Sequence, residues 1–116
     1  MSTIERGEVY DYDFGPQQDS RQEGPRPALV VQTDFLNRVE GYGLTLIVPL
    51  STKGRPSPSH VRLEPTKENG LDAVSFAKCE QIYTVPTIRL AHRRGKLSNR
   101  DVFAINEALR TVLALA

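Results

Sequence analysis

Residues 8–14 alternate along the chain: Glu8, Tyr10, Tyr12 and Phe14 fall on one side, and Val9, Asp11 and Asp13 on the other. That period of two predicts a half-buried strand. Residues 15–25 (GPQQDSRQEGP) have neither helical period nor strand composition, so they read as a loop. Loops of that length inside a compact domain are often functional. Two β-branched runs come next, residues 28–32 (ALVVQ) and 44–50 (LTLIVPL), and each predicts a buried strand. Pro49 suits a strand end or a bulge. Residues 51–59 (STKGRPSPS) form a second polar loop, and shorter strands are expected at 60–64, 73–77 and 79–85. Near the end the period changes. Val102, Ile105, Leu109 and Val112 share one helical face, and Ser98 with Asp101 resembles a capping box in which Asp replaces the usual Glu. The pattern predicts five or six short strands and a C-terminal helix. The expected architecture is a small, strongly bent antiparallel sheet or barrel closed by that helix. No repeat or linker divides residues 1–116, which read as a single domain.

Composition narrows the function classes. A chain of 116 residues buries somewhat more than about 60% of its unfolded surface, enough for one core without staples. The single cysteine, Cys79, excludes an internal disulfide framework and a Cys-rich zinc site. No apolar run approaches the length of a membrane span. The first residues, MSTIERGE, are polar and acidic and carry no signal-peptide core, so a cytoplasmic protein is expected.

Net charge is +1, which taken whole argues against a strongly basic nucleic-acid binder. The total hides a split. Residues 1–40 hold eight acids and four bases, a net of −4, and residues 41–100 hold ten bases and four acids, a net of +6. The densest basic stretch is 89–100, with Arg89, Arg93, Arg94, Lys96 and Arg100 and no acid between them. On charge alone it reads as a solvated loop. Even so, a basic face can concentrate a polyanion at small net charge.

There is no GxGxxG and no Walker loop, and His60, His92 and Cys79 fall into no metal-ligand spacing. His60 reads as structural at the start of a strand, and Cys79 as a small buried hydrophobe. One arrangement remains. The first polar loop ends in Gly24-Pro25-Arg26-Pro27 and runs into ALVVQ, while Ser51-Thr52 follows LTLIVPL. If these strands are neighbours, Arg26 and the two hydroxyls meet at one sheet edge. A Ser-Thr pair is also a common turn former.

In these features the chain resembles the MazF/PemK family of toxin endoribonucleases from type II toxin–antitoxin systems. The resemblance runs through Arg6-Gly7-Glu8-Val9-Tyr10, then Pro16, Ser20, Gln22, Gly24, Arg26-Pro27 and ALVVQTD. It continues through Phe35, Asn37-Arg38, IVPLST, Gly70, Val74 and Lys78-Cys79-Glu80-Gln81-Ile82, to the final helix. It implies an SH3-like barrel of five to seven antiparallel strands with a C-terminal helix. It further implies metal-independent cleavage of single-stranded RNA, mRNA above all, with no cofactor. In such cleavage the 2′-hydroxyl attacks the adjacent phosphate and leaves 2′,3′-cyclic phosphate and 5′-hydroxyl ends.

Arg26 matches the catalytic arginine and Thr52 the catalytic hydroxyl. Lys78 and Glu80 stand where an arginine and an aspartate take part in catalysis in PemK-like members. Two residues apart, they share a face if they lie on a strand, where they also suit a simple ion pair. Glu80 is then the candidate general base and Lys78 a phosphate contact. Ser20, Gln22, Pro27, Ser51, Lys53, Gln81 and Tyr83 are the expected substrate contacts. Arg21 stands where a glutamate is usual and Tyr83 where an arginine is usual, which bears on sequence preference. The resemblance also implies a homodimer and a cognate antitoxin whose disordered acidic C-terminal segment covers the RNA groove. Two other readings share the fold: a gyrase poison of the CcdB type, and a non-catalytic member that binds RNA or a partner.

Overall fold

The computed structural model describes residues 3–116. Met1 and Ser2, the start of the polar N-terminal segment, lie outside the described residues. The chain builds β1 (Glu8–Asp13), β2 (Pro25–Val30), α1 (Asp34–Asn37), β3 (Leu44–Ser51), β4 (His60–Leu63), β5 (Ser75–Lys78), β6 (Tyr83–Pro86), β7 (Arg93–Lys96) and α2 (Asn99–Leu113). The strands form one antiparallel sheet in the order β4-β5-β3-β2-β1-β7, with β6 pairing β3. The expected mainly β, curled sheet with a C-terminal helix is therefore what the chain forms.

The prolines explain how the central strands end. The Val31 N–H donates to the Leu46 carbonyl of β3, so odd-numbered backbone groups in this stretch face β3. Pro25 and Pro27 share that orientation, but β3 pairs with β2 only from Ala28 onward. Neither missing N–H costs a ladder bond, and the strand starts at Pro25, earlier than the apolar run alone indicates. Pro49 sits inside β3, between Ile47, paired with β6, and Leu50, paired with β5. Its missing N–H falls in the gap where β3 changes partners.

The sheet buries both faces at its centre. On one side Val9, Leu29, Val48, Leu50, Leu63 and Ala77 pack with Ile105 and Ala108 of α2. A fully buried aliphatic side chain of this kind contributes about 1.5–3 kcal/mol. Ser98 caps α2, its Oγ accepting from the Asp101 N–H at 3.2 Å, and Val102, Leu109 and Val112 complete the buried face. On the other side Phe14, Ala28, Val30, Ile47 and Val85 pack with Tyr10, Tyr12 and Tyr83. Within β1, Val9 is fully enclosed and Glu8 is buried. The half-buried expectation holds: Tyr10, Asp11 and Tyr12 are partly buried and Asp13 is exposed, and just beyond β1 Phe14 meets Tyr83 edge-on with ring centroids 5.0 Å apart.

Two expectations are corrected, and one element was not expected. The strand expected at 79–85 forms only as β6, because Cys79 and Glu80 turn the chain, closed by the Gln81 N–H on the Lys78 carbonyl at 2.9 Å. The basic stretch at 89–100 is no loop throughout, since it contains β7, the edge strand beside β1. Residues 34–37 form a short helix capped by Thr33, which the apolar pattern did not signal. Among the described residues no helix is long and apolar enough to cross a membrane.

Candidate active site

Adjacent strands deliver Arg26 and Thr52 to the same place. Arg26, on β2, pairs with Tyr12 of β1, and Thr52 follows the end of β3. Both line a cavity of about 160 Å³ with Pro27, Leu50, Leu71, Asp72, Ser75 and Arg94. Both are exposed, and Lys53 beside them is exposed as well. Ser51 is buried instead, and its Oγ accepts the Lys53 N–H at 3.1 Å, so it shapes the turn that presents Thr52. Gly54 lets that loop cross the Phe76 ring, because a Cβ at Gly54 would lie 2.4 Å from it.

Asp72 and Ser75 were not singled out from sequence, and Arg94 only within the basic stretch, yet all three line the same cavity. Ser75 follows from register: Ser51 pairs with Phe76, so Thr52 lies beside Ser75. Arg94 belongs to the basic stretch. Asp72 had only a weak local signal, an Asn69-Gly70 turn two residues earlier.

The remaining expected residues gather around the β5–β6 turn. Gln81 holds the long loop: its Oε1 accepts the Gln22 N–H at 2.7 Å, and its Nε2 donates to the Ser20 carbonyl at 3.3 Å. The Tyr83 hydroxyl donates to the same Oε1 at 3.5 Å. Burial raises the Tyr83 phenol, against a lowering by nearby Arg21, so it stays a neutral donor and a flat ring. Gln22 is turned inward, and its Oε1 is buried without a hydrogen-bond partner among the described residues.

Glu80 is not in the cavity that holds Arg26 and Thr52. Its Oε2 lies 3.0 Å from His60 Nε2, while His60 Nδ1 lies 3.2 Å from the Arg55 carbonyl. Burial pushes the Glu80 carboxyl up, but hydrogen bonds from His60, from its own backbone N–H and from Ser59 outweigh this and hold it below the usual range. The expected shared strand face of Lys78 and Glu80 does not form, because the turn separates them. Lys78 instead stands across from His60 in the β4–β5 ladder. Cys79 is buried, which pushes its thiol up to about 12 and leaves it unreactive. Among the described residues no group of three or more His, Cys, Asp or Glu side chains is placed to hold a metal.

The family model for PemK-like, MazF-like toxins of type II toxin–antitoxin systems matches residues 5–113. The chain is 32% identical over 112 residues to endoribonuclease EndoA of Bacillus subtilis, covering 97% of this chain and 96% of that one. It is 36% identical over 115 residues to endoribonuclease MazF of Staphylococcus epidermidis, covering 97% and 92%. In three dimensions it resembles a mycobacterial endoribonuclease solved in complex with its cognate antitoxin. That match has a TM-score of 0.81 and 27% identity over 97% of each chain.

Proposed function

The chain belongs to the PemK-like, MazF-like toxins of type II toxin–antitoxin systems and is an endoribonuclease of that family; we propose that it cleaves single-stranded RNA, mRNA above all, without a metal. The 2′-oxygen attacks phosphorus, the P–O5′ bond breaks, and cyclic phosphate and 5′-hydroxyl ends result. Nucleophile and leaving group both lie in the substrate, so the protein supplies position and charge. The observation that carries this reading is the shared cavity of Arg26 and Thr52. The Arg26 fork suits two phosphate oxygens at once and stabilises the charge of the pentacoordinate phosphorus. The Thr52 hydroxyl donates to a third oxygen. Lys53 and Lys78 contact flanking phosphates, and Pro27 forms part of the cavity wall. Ser20, Gln81 and the Tyr83 ring meet bases, the ring by stacking. We assign Glu80 to ordering the β3–β4 loop through His60.

The partners belong to the same proposal. An acidic antitoxin segment would neutralise the cations that RNA otherwise meets, ordering as it binds. The mycobacterial relative solved with its cognate antitoxin supports an antitoxin partner. A homodimer suits the exposed apolar side chains Phe35, Val39, Tyr42 and Ile88, two of which, Val39 and Ile88, border an open groove of about 830 Å³. Long RNA incubated with the protein in EDTA, with its ends mapped, tests the activity. Discrete cuts bearing cyclic phosphate, absent for Arg26→Ala, are expected. RNA left intact in every sequence context, together with stalled gyrase, would overturn the proposal.

A further inference from the structure

We infer that the Asp72 carboxylate is the proton acceptor for the attacking 2′-hydroxyl, and that Arg94 is the positioning residue that aims it. The inference rests on reading the Arg26–Thr52 cavity as the cleavage site. That reaction needs a base within hydrogen-bond reach of the 2′-oxygen. Arg26 and Arg94 cannot serve, because an arginine does not give up its proton in proteins. Thr52 and Ser75 are hydroxyls that themselves need a base. Glu80 lies outside the cavity, held by His60. Asp72 is the one carboxylate among the residues that line it.

The placement of Asp72 is over-determined although its side chain is exposed. Arg94 donates through Nη1 to Asp72 Oδ2 at 3.2 Å and to the Gly70 carbonyl at 3.1 Å, and through Nε to Asp11 Oδ1 at 2.6 Å. Behind it the loop is locked. Buried Asn69 accepts the Thr66 and Leu71 N–H groups through Oδ1 and donates to the Glu64 carbonyl. Gly70 and Gly95 lie so close to the opposing backbone that a Cβ would come within 2.2 Å and 2.0 Å of a carbonyl oxygen. The loop backbone is thus fixed, and the exposed carboxylate at the cavity wall is held by its bond to Arg94. The bond to Arg94 uses Oδ2, leaving Oδ1 for a substrate hydroxyl. The charged groups around it are Arg26 and Arg94 at the cavity and Asp11 behind Arg94.

The step balances without a co-reactant. The 2′-hydroxyl proton passes to Asp72 Oδ1 as the O2′–P bond forms; the P–O5′ bond breaks, O5′ takes a proton from solvent, and Asp72 releases its own to solvent. Cyclisation consumes no water.

The experiment measures single-turnover cleavage in EDTA across pH for wild type, Arg26→Ala, Asp72→Asn, Asp72→Ala and Arg94→Gln. Asp72→Asn is expected to lose about 10²–10⁴-fold in rate with RNA affinity retained. It also loses the acidic limb of the rate–pH profile, which a merely structural role would not remove. Added formate is expected to restore part of the rate of Asp72→Ala, since a small carboxylate fits the vacated position. Arg94→Gln is expected to keep that limb at reduced rate. If wild type cleaves and Arg26→Ala does not, an Asp72→Asn variant with wild-type rate and pH profile overturns the inference alone. A wild type that cleaves no RNA overturns both it and the reading beneath it.

Discussion

Two groups of cations in this molecule have opposite fates. On β7, Arg93 bonds Glu8 at 2.7 Å, Arg94 bonds Asp11 at 2.6 Å, and Lys96 bonds Glu5 at 3.0 Å. Arg26, Lys53 and Lys78 form no ion pair among the described residues. The sequence concentrates its positive charge in residues 89–100, yet that stretch is largely spent internally. Three of the N-terminal acids, Glu5, Glu8 and Asp11, meet three of the late bases along one β1–β7 seam. Sparse cations that form no ion pair keep their charge for a polyanion, and density along a chain does not predict potential in space.

A matched pair of substitutions attacks this division hardest. Arg26→Gln is expected to lower RNA cleavage by about 10²–10³-fold. It should change stability by less than about 0.5 kcal/mol, because Arg26 is exposed and unpaired. Arg93→Gln should do the reverse. It leaves the Glu8 carboxylate, whose side chain is 8% exposed, with only the Tyr10 hydroxyl and the Glu5 N–H as donors. Urea unfolding should then show a loss of about 1–3 kcal/mol with cleavage close to wild type. Equal damage to cleavage from both variants would erase the distinction.

The contrast also shows what sequence could reveal. Arg26 and Thr52 were legible because each adjoins a β-branched run, and two such runs need only pair for their ends to meet. Helix α2 was legible from its own period and cap. Strand β7 was not: Arg-Arg-Gly-Lys has no strand propensity and exists as one through pairing with β1 and the three ion pairs. The Glu80–His60 contact joins residues 20 apart, and the Asp72–Arg94 contact residues 22 apart. No local spacing announces such pairs. The two-residue spacing of Lys78 and Glu80 put them on a common face if both lay on a strand, and the turn at Cys79–Glu80 undid it.

A smaller effect separates the two groups by salt. RNA binding by wild type should weaken linearly in log–log terms, and Lys53→Gln and Lys78→Gln should each flatten the slope by about 0.7. Lys96→Gln should leave it unchanged, because Lys96 already spends its charge on Glu5. Filter binding at several salt concentrations with an Arg26→Ala background, which leaves the RNA uncut, measures this. A Lys96 contribution equal to that of Lys53 would mean that the seam opens when RNA binds.

The smallest expected effect comes from Glu80, which sits near the free cations but is built like the seam. Its bonds hold the carboxyl below its ordinary value of 4.5, against the opposing push of burial. A carboxylate whose folded pKa is depressed adds stability that is fully present above the unfolded value. That stability fades as pH falls from about 4.5 through the lower folded value. The difference in unfolding free energy between wild type and Glu80→Gln should therefore be constant through neutral pH and vanish in acid. With a side chain 40% exposed, Glu80 is well hydrated even in the folded chain, so the plateau should be smaller than that of Arg93→Gln. Denaturant titrations at stepped pH measure it. A difference that persists undiminished in acid well below the ordinary carboxylate value would show that the ionised Glu80 adds no stability through these bonds.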